Sequence, residues 1–158
     1  MERTLACILL LSIVLLPSCK KDEDDPPAQT PVPTCGIAGA RLQASFLSES
    51  FCPDLSLFAD RAVVLTINGV SASGSTLTLE LDSLDPGSYD MTEDANHVLF
   101  TNLTGAYESS DTSPATLVIA SHDEGSNRIQ GSFSGPLTNP LGGTPPTISG
   151  SFDMIYLE

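Results

Sequence analysis

Leu77, Leu79 and Leu81 alternate with Thr78, Glu80 and Asp82. A two-residue apolar period would scatter its leucines around every face of a helix. It suits an antiparallel strand with one dry and one wet side. The same reading predicts strands at Ala38–Phe46, His97–Thr101, Ala115–His122, Asn127–Ser134 and Thr147–Leu157. Arg61–Asn68 (RAVVLTIN) is richer in branched residues and is expected to be buried on both sides. Gly69–Gly74 reads as a hairpin loop, and Asp123-Glu124-Gly125-Ser126 as a hairpin tip. At Asp85-Pro86-Gly87 the proline presets its dihedral and the glycine is expected at positive φ. No stretch holds a helical period. Short strands with Gly/Ser/Asp turns predict a single all-β domain, an antiparallel β-sandwich or a flattened barrel.

One internal echo bears on register. Ile129-Gln130-Gly131-Ser132-Phe133 recurs as Ile148-Ser149-Gly150-Ser151-Phe152. Two such units are too few for a solenoid. They read as neighbouring antiparallel strands with Ile, Gly and Phe on one face. Each Gly then leaves room for an aromatic ring or a bend.

Before this region lies a different kind of sequence. Leu5–Leu16 is a run of twelve residues with only Ser12 polar. That has the length of a signal-peptide core and falls short of the ~20 residues that span a bilayer. It ends in Leu16-Pro17-Ser18-Cys19, which resembles the lipobox of bacterial lipoprotein precursors. The resemblance implies cleavage after residue 18, acylation of Cys19 and anchoring by up to three chains, where one alone binds marginally. Lys20–Asp25 is a charge cluster, and Pro26–Thr34 adds four prolines. Such composition cannot bury a core and reads as a disordered tether, reaching roughly 45 Å if extended. The expected organisation is a signal peptide at 1–18, a lipidated tether at 19–34 and a β-domain at 35–158.

Of the chain's 20 acids and six bases, 15 acids and three bases (Arg41, Arg61, Arg128) fall after Thr34, giving that part a formal charge of −12. This field repels nucleic acid and anionic lipid, so no nucleic-acid partner is expected. Cys7 leaves with the signal and Cys19 carries lipid. Cys35 and Cys52 remain, and an oxidising compartment makes a disulfide between them plausible, with two buried thiols as the alternative.

Ala115–Leu137 followed by TISGSFDMIY (147–156) resembles the C-terminal half of small Bacteroidota surface lipoproteins of unknown function. These end in two Gly-Ser/Thr-Phe strands after a strand and a His-Asp turn. Pro86-Gly87-Ser88-Tyr89 is similar to their Pro-Gly-x-Tyr turn, and Lys21-Asp22-Glu23 to their export step. The resemblance spans roughly 62–156, and Glu49–Asp60 departs from it. It implies an all-β, lipid-anchored domain on the outer membrane, facing the cell exterior, with a periplasmic facing as the alternative. It brings no catalytic residues.

The loop Gly135–Pro146 is twelve residues long, where hairpin loops usually run to two to five. Leu137, Asn139 and Leu141 are its candidate binding residues. The alternative is that both leucines fold back over the core. Asp82-Ser83-Leu84 resembles a short O-glycosylation sequon, making Ser83 a candidate acceptor. Asp123, Glu124, Ser126 and Asn127 offer oxygens but lack calcium-loop spacing, as do Asp90, Glu93 and Asp94. His97 and His122 have no zinc-ligand spacing. Glu80 and Asp82 share a strand face, which alternation explains without catalysis. No nucleophile motif is present. No metal, cofactor or enzymatic activity is expected. The leading expectation is a surface interaction module for protein or glycan. The alternative is a lipocalin-like carrier whose pocket would be lined by Phe100, Phe133 and Phe152.

Overall fold

A computed structural model describes residues 34–158. The signal segment, Cys19 and all of the tether but Thr34 lie outside the described residues. Twelve strands run β1 (Gly36–Ile37), β2 (Ala40–Phe46), β3 (Glu49–Phe51), β4 (Ser56–Arg61), β5 (Leu65–Val70), β6 (Thr76–Leu81), β7 (Gly87–Met91), β8 (His97–Asn102), β9 (Gly105–Glu108), β10 (Ala115–Asp123), β11 (Arg128–Pro136) and β12 (Thr147–Ile155). They form two antiparallel sheets that pack as a sandwich. Sheet A has the order β1-β2-β12-β11-β10-β7, with β3 also on β2, and sheet B the order β4-β5-β6-β8-β9.

The sheets are joined by backbone hydrogen bonds on both flanks without closing into a barrel. Past β12, Leu157 N–H donates to Ala59 O, and Arg61 N–H to Leu157 O. Past β11, Thr138 N–H donates to Glu108 O at 2.7 Å, and Thr138 O accepts from Glu108 N–H at 3.0 Å. The edges β4 and β9 are thereby partly covered, which blunts pairing with other chains.

The inner faces follow from alternation. Sheet B contributes Leu65, Ile67, Leu77, Leu79, Leu81, Val98 and Phe100, all buried. Sheet A contributes Leu42, Phe46, Leu117, Ile119, Phe133, Ile148 and Phe152. Phe100 meets Phe46 at 4.6 Å and Phe51 edge-on at 5.8 Å between ring centroids, geometries that aromatic pairs favour.

The echoed strands are neighbours, in a reciprocal register: Gly131 faces Phe152, and Phe133 faces Gly150. A β-carbon on Gly131 would lie 2.5 Å from the Phe152 ring, and one on Gly150 would collide with the ring of Phe133. Each phenylalanine thus lies over the other strand's glycine, which has no side chain to hold it off.

Three local expectations are corrected. Arg61–Asn68 is not one strand buried on both sides: Arg61 ends β4, Val63 is an exposed turn residue, and β5 alternates buried and half-buried positions. Sheet B has another sheet on one face only, so its branched residues at 66 and 70 face outward. The loop after β5 is 71–75 rather than Gly69–Gly74, and Gly74 carries the positive φ of 85°. Gly87 begins β7 and has no positive φ. That turn is closed instead by Tyr89, whose hydroxyl donates to Asp85 O at 2.8 Å, with its ring folded over Gly87.

In β10, Ala120 is an extra residue: Ile119 pairs with Gly131, but Ser121 pairs with Gln130. Such a bulge reverses the facing of the residues after it. His122 consequently turns inward, and its Nε2 lies 2.8 Å from the hydroxyl of buried Tyr156.

Candidate functional site

Cys35 and Cys52 are joined as a disulfide with a Cα–Cα separation of 5.3 Å, within the usual span. It ties the entry of the chain to the end of β3.

The long loop divides its two leucines. Leu137 is 0% exposed and Leu141 is 91% exposed. Leu137 is drawn in because the loop root is fixed on both sides: its own N–H donates to Pro146 O at 2.8 Å, and Thr138 pairs with Glu108. Beyond that root, Asn139 Oδ1 accepts from Leu141 N–H at 2.8 Å, and Gly142 N–H donates to Asn139 O. The tip is an ordered turn that points Leu141 at solvent. Asn139 lies against Gly105, where a β-carbon would meet Asn139 Nδ2 at 3.3 Å.

Three loops meet at this end of the sandwich. Asn102, at the end of β8, donates to Glu49 Oε2 at 3.2 Å, and Ser75 donates to Glu49 Oε1 at 3.0 Å. Glu49 therefore fastens the β2–β3, β5–β6 and β8–β9 connections together. A cleft of about 420 Å³ opens among Leu47, Tyr107, Asn139 and the Thr144–Thr147 stretch. The Tyr107 ring is held by Phe46 at 4.7 Å and its hydroxyl by Thr104 Oγ1 at 3.1 Å. Leu47 and Leu103, 70% and 95% exposed, project from the two loops beside it.

A second open site lies on the outer face of sheet A. Register places Thr116, Ser134, Ser149, Ser45 and Ser50 in one row across five strands. The next row runs Val118, Ser132, Ser151 and Gln43. Such short side chains leave a trough of about 560 Å³. Thr34 and Cys35 stand at its side, and Thr34 N–H donates to Gln43 Oε1 at 3.0 Å. Beyond the trough, Arg128 holds Asp153 through Nε and Nη2 at 2.7 and 2.6 Å, and Gln130 Nε2 donates at 3.0 Å. The Arg128 hydrogen bonds keep the Asp153 carboxyl below its ordinary range, against the opposing push of burial; Gln130 and the charges of Arg128 and Arg41 add to the lowering.

The other sequence candidates stay apart from these sites. Ser83 is half-buried after β6, beside core Leu84. Asp123 is occupied by its own turn: it accepts from Ser126 Oγ at 2.7 Å and Gly125 N–H at 3.0 Å. Those bonds, Ser126 first, lower its pKa. Among the described residues no three His, Cys, Asp or Glu side chains are grouped to hold a metal ion. His97 lies 3.7 Å from Glu108 and pairs across strands with Glu80, while His122 meets only the buried Tyr156 hydroxyl among described side-chain hydrogen bonds. Among the described residues neither histidine is hydrogen-bonded to a serine or cysteine side chain. The trough is what sequence reasoning missed, because its serines come from four strands that only the register aligns.

Compared with family models, curated proteins and solved structures, the chain matches none.

Proposed function

We propose that this chain is a lipid-anchored protein of the bacterial outer membrane, facing outward, whose β-sandwich is a non-catalytic interaction module. The run ending in Cys19 and the step Lys21-Asp22-Glu23 support the anchor and the facing. The observation that carries the interaction reading is the loop end: an ordered cleft lined by Leu47, Tyr107 and Asn139, with Leu103 and Leu141 exposed on the adjoining β8–β9 and β11–β12 loops. Burying a leucine contributes about 1.5–3 kcal/mol, so three at one end favour a protein partner with an apolar patch. An aromatic residue beside exposed leucines suits the apolar centre of such a contact. A carrier reading has less support, because Phe100, Phe133 and Phe152 are packed in the core between the sheets.

A photo-crosslinking residue placed at 141 in living cells tests this. One discrete protein adduct is expected there, lost on adding Leu47→Ser and Leu103→Ser. The same probe at Val63, equally exposed on the β4–β5 turn, should give none. The same pattern from both positions, or none from either, refutes the loop end as the working surface. Labelled palmitate should enter the wild type and not Cys19→Ala; label retained in that variant refutes the anchor.

A further inference from the structure

We infer that the trough on the outer face of sheet A binds a strand of neutral polysaccharide. This surface shares no lining residue with the loop cleft, and the inference stands without it.

The first observation is the state of the hydroxyls. Ser45, Ser132, Ser134, Ser149 and Ser151, gathered on one face, make no hydrogen bond to any described residue through their side chains. Ser75 by contrast bonds Glu49, Ser109 bonds Thr92 O and Val98 N–H, and Ser121 bonds Gln130, and unengaged serines away from this face, such as Ser56, stand singly. Ser151 is the sharpest case. It is 3% exposed, yet no described group satisfies it. No fully enclosed side-chain oxygen among the described residues lacks a partner, so its hydroxyl opens on the trough. A polar group held this deep without a partner among the described residues leaves a hydrogen bond for a ligand to make.

The second observation is charge. The chain's formal charge is −14, yet no charged side chain lines the trough. Beyond it, Arg128 is paired with Asp153, and Arg41 stands opposite the same residue in the register, so the charges there are engaged with one another and outside the lining. An anionic polymer would be repelled by the rest of the domain, and a cationic one would find nothing to pair with here. An uncharged ligand matches an uncharged lining.

The third is chemistry. A serine hydroxyl donates and accepts, as a sugar hydroxyl does, so rows of one can pair with a chain of the other. A protein occupant would call for the Trp, Tyr or Arg anchors of interface centres, and the trough floor offers none. Side chains this short also let a polymer approach the sheet closely.

The test is affinity electrophoresis of the full chain, in a zwitterionic detergent, through gels containing dextran, mannan, soluble starch, hydroxyethyl cellulose or laminarin. Mobility is compared with a polysaccharide-free gel. At least one of the five should retard the wild type. Ser45→Glu/Ser134→Glu, which changes two exposed positions separated by the intervening strand β12, should weaken that retardation at least tenfold with an unchanged thermal midpoint. Retardation by none of the five overturns the inference, as does equal retardation of wild type and variant. If instead the wild type sediments as a dimer without polysaccharide and the variant as a monomer, the trough belongs to a second copy of this chain and the inference fails.

Discussion

On the outer face of sheet B, Asn68 donates to Thr78 across a strand pair and His97 lies 3.7 Å from Glu108. On the outer face of sheet A, Ser45, Ser132, Ser134 and Ser149 face solvent with their hydroxyls unengaged by described residues. Both sheets obey the same alternation and bury an apolar inner face. They differ in the size and reach of the residues left outside. Long polar side chains on sheet B cover their own sheet, whereas serines on sheet A cannot reach one another's neighbours and leave a trough. Serine is also a poorer strand former than threonine or valine, so local strand stability does not explain a face built from it.

The inner faces differ too. Sheet B stacks aliphatic leucines, and the central strands of sheet A set rings over glycines. The largest effects are expected where an inner face or its cover is cut. Leu137→Ala should cost about 2–5 kcal/mol, as for other buried leucines, while Leu141→Ala, four residues on, should stay within about 0.5 kcal/mol. Denaturant midpoints at constant m-value would show this. Equal losses would mean that the loop does not divide into a buried root and an exposed tip.

Smaller, but specific to sheet A, is the glycine–ring pairing. Gly150→Ala should destabilise by about 1–3 kcal/mol through overpacking. Part of that loss should disappear in a Phe133→Leu background, with a coupling of about 0.5–3 kcal/mol. The remainder should persist, because the added β-carbon would also press on Gln43 O at 2.6 Å. Additive losses would show that the ring and the glycine are independent. No such coupling is expected between Leu79 and Glu80, which face opposite sides of sheet B.

Smallest is a pH effect at the margin of the trough. The folded-state pKa of Asp153 is depressed by Arg128. Its contribution is therefore present above the unfolded carboxylate value near 3.9 and lost as pH falls through the lower folded value. Asp153→Asn should be less stable than the wild type at neutral pH, and the gap should close below about pH 4. A gap that stays constant down to about pH 2 would contradict the ion pair.

Much of this fold is legible in the sequence because strong alternation survives in β6, β8, β10, β11 and β12, and because the Ile-Gly-Phe echo requires its two copies to face each other. The short strands β3, β4, β7 and β9 are not legible. Leu55, Leu57 and Phe58 break the alternation around β4, and Phe58 is half exposed on the outer face of an edge strand. The bulge at Ala120 has no glycine to announce it. The trough leaves no local trace: Ser45 meets Ser149 only through the pairing of β2 with β12, far apart in the chain. Leu137 and Leu141 sit in similar Gly/Pro surroundings, and what separates them is the fixed root, Leu137 on Pro146 and Thr138 on Glu108.

A filled interior and a working surface are two sides of one statement about this sandwich. Native mass spectrometry of the protein taken from cells decides it. The expected mass is that of the polypeptide and whatever is covalently attached to it, with no stoichiometric non-covalent apolar guest. A retained apolar small molecule, lost only on unfolding, would contradict this and make the sandwich a carrier.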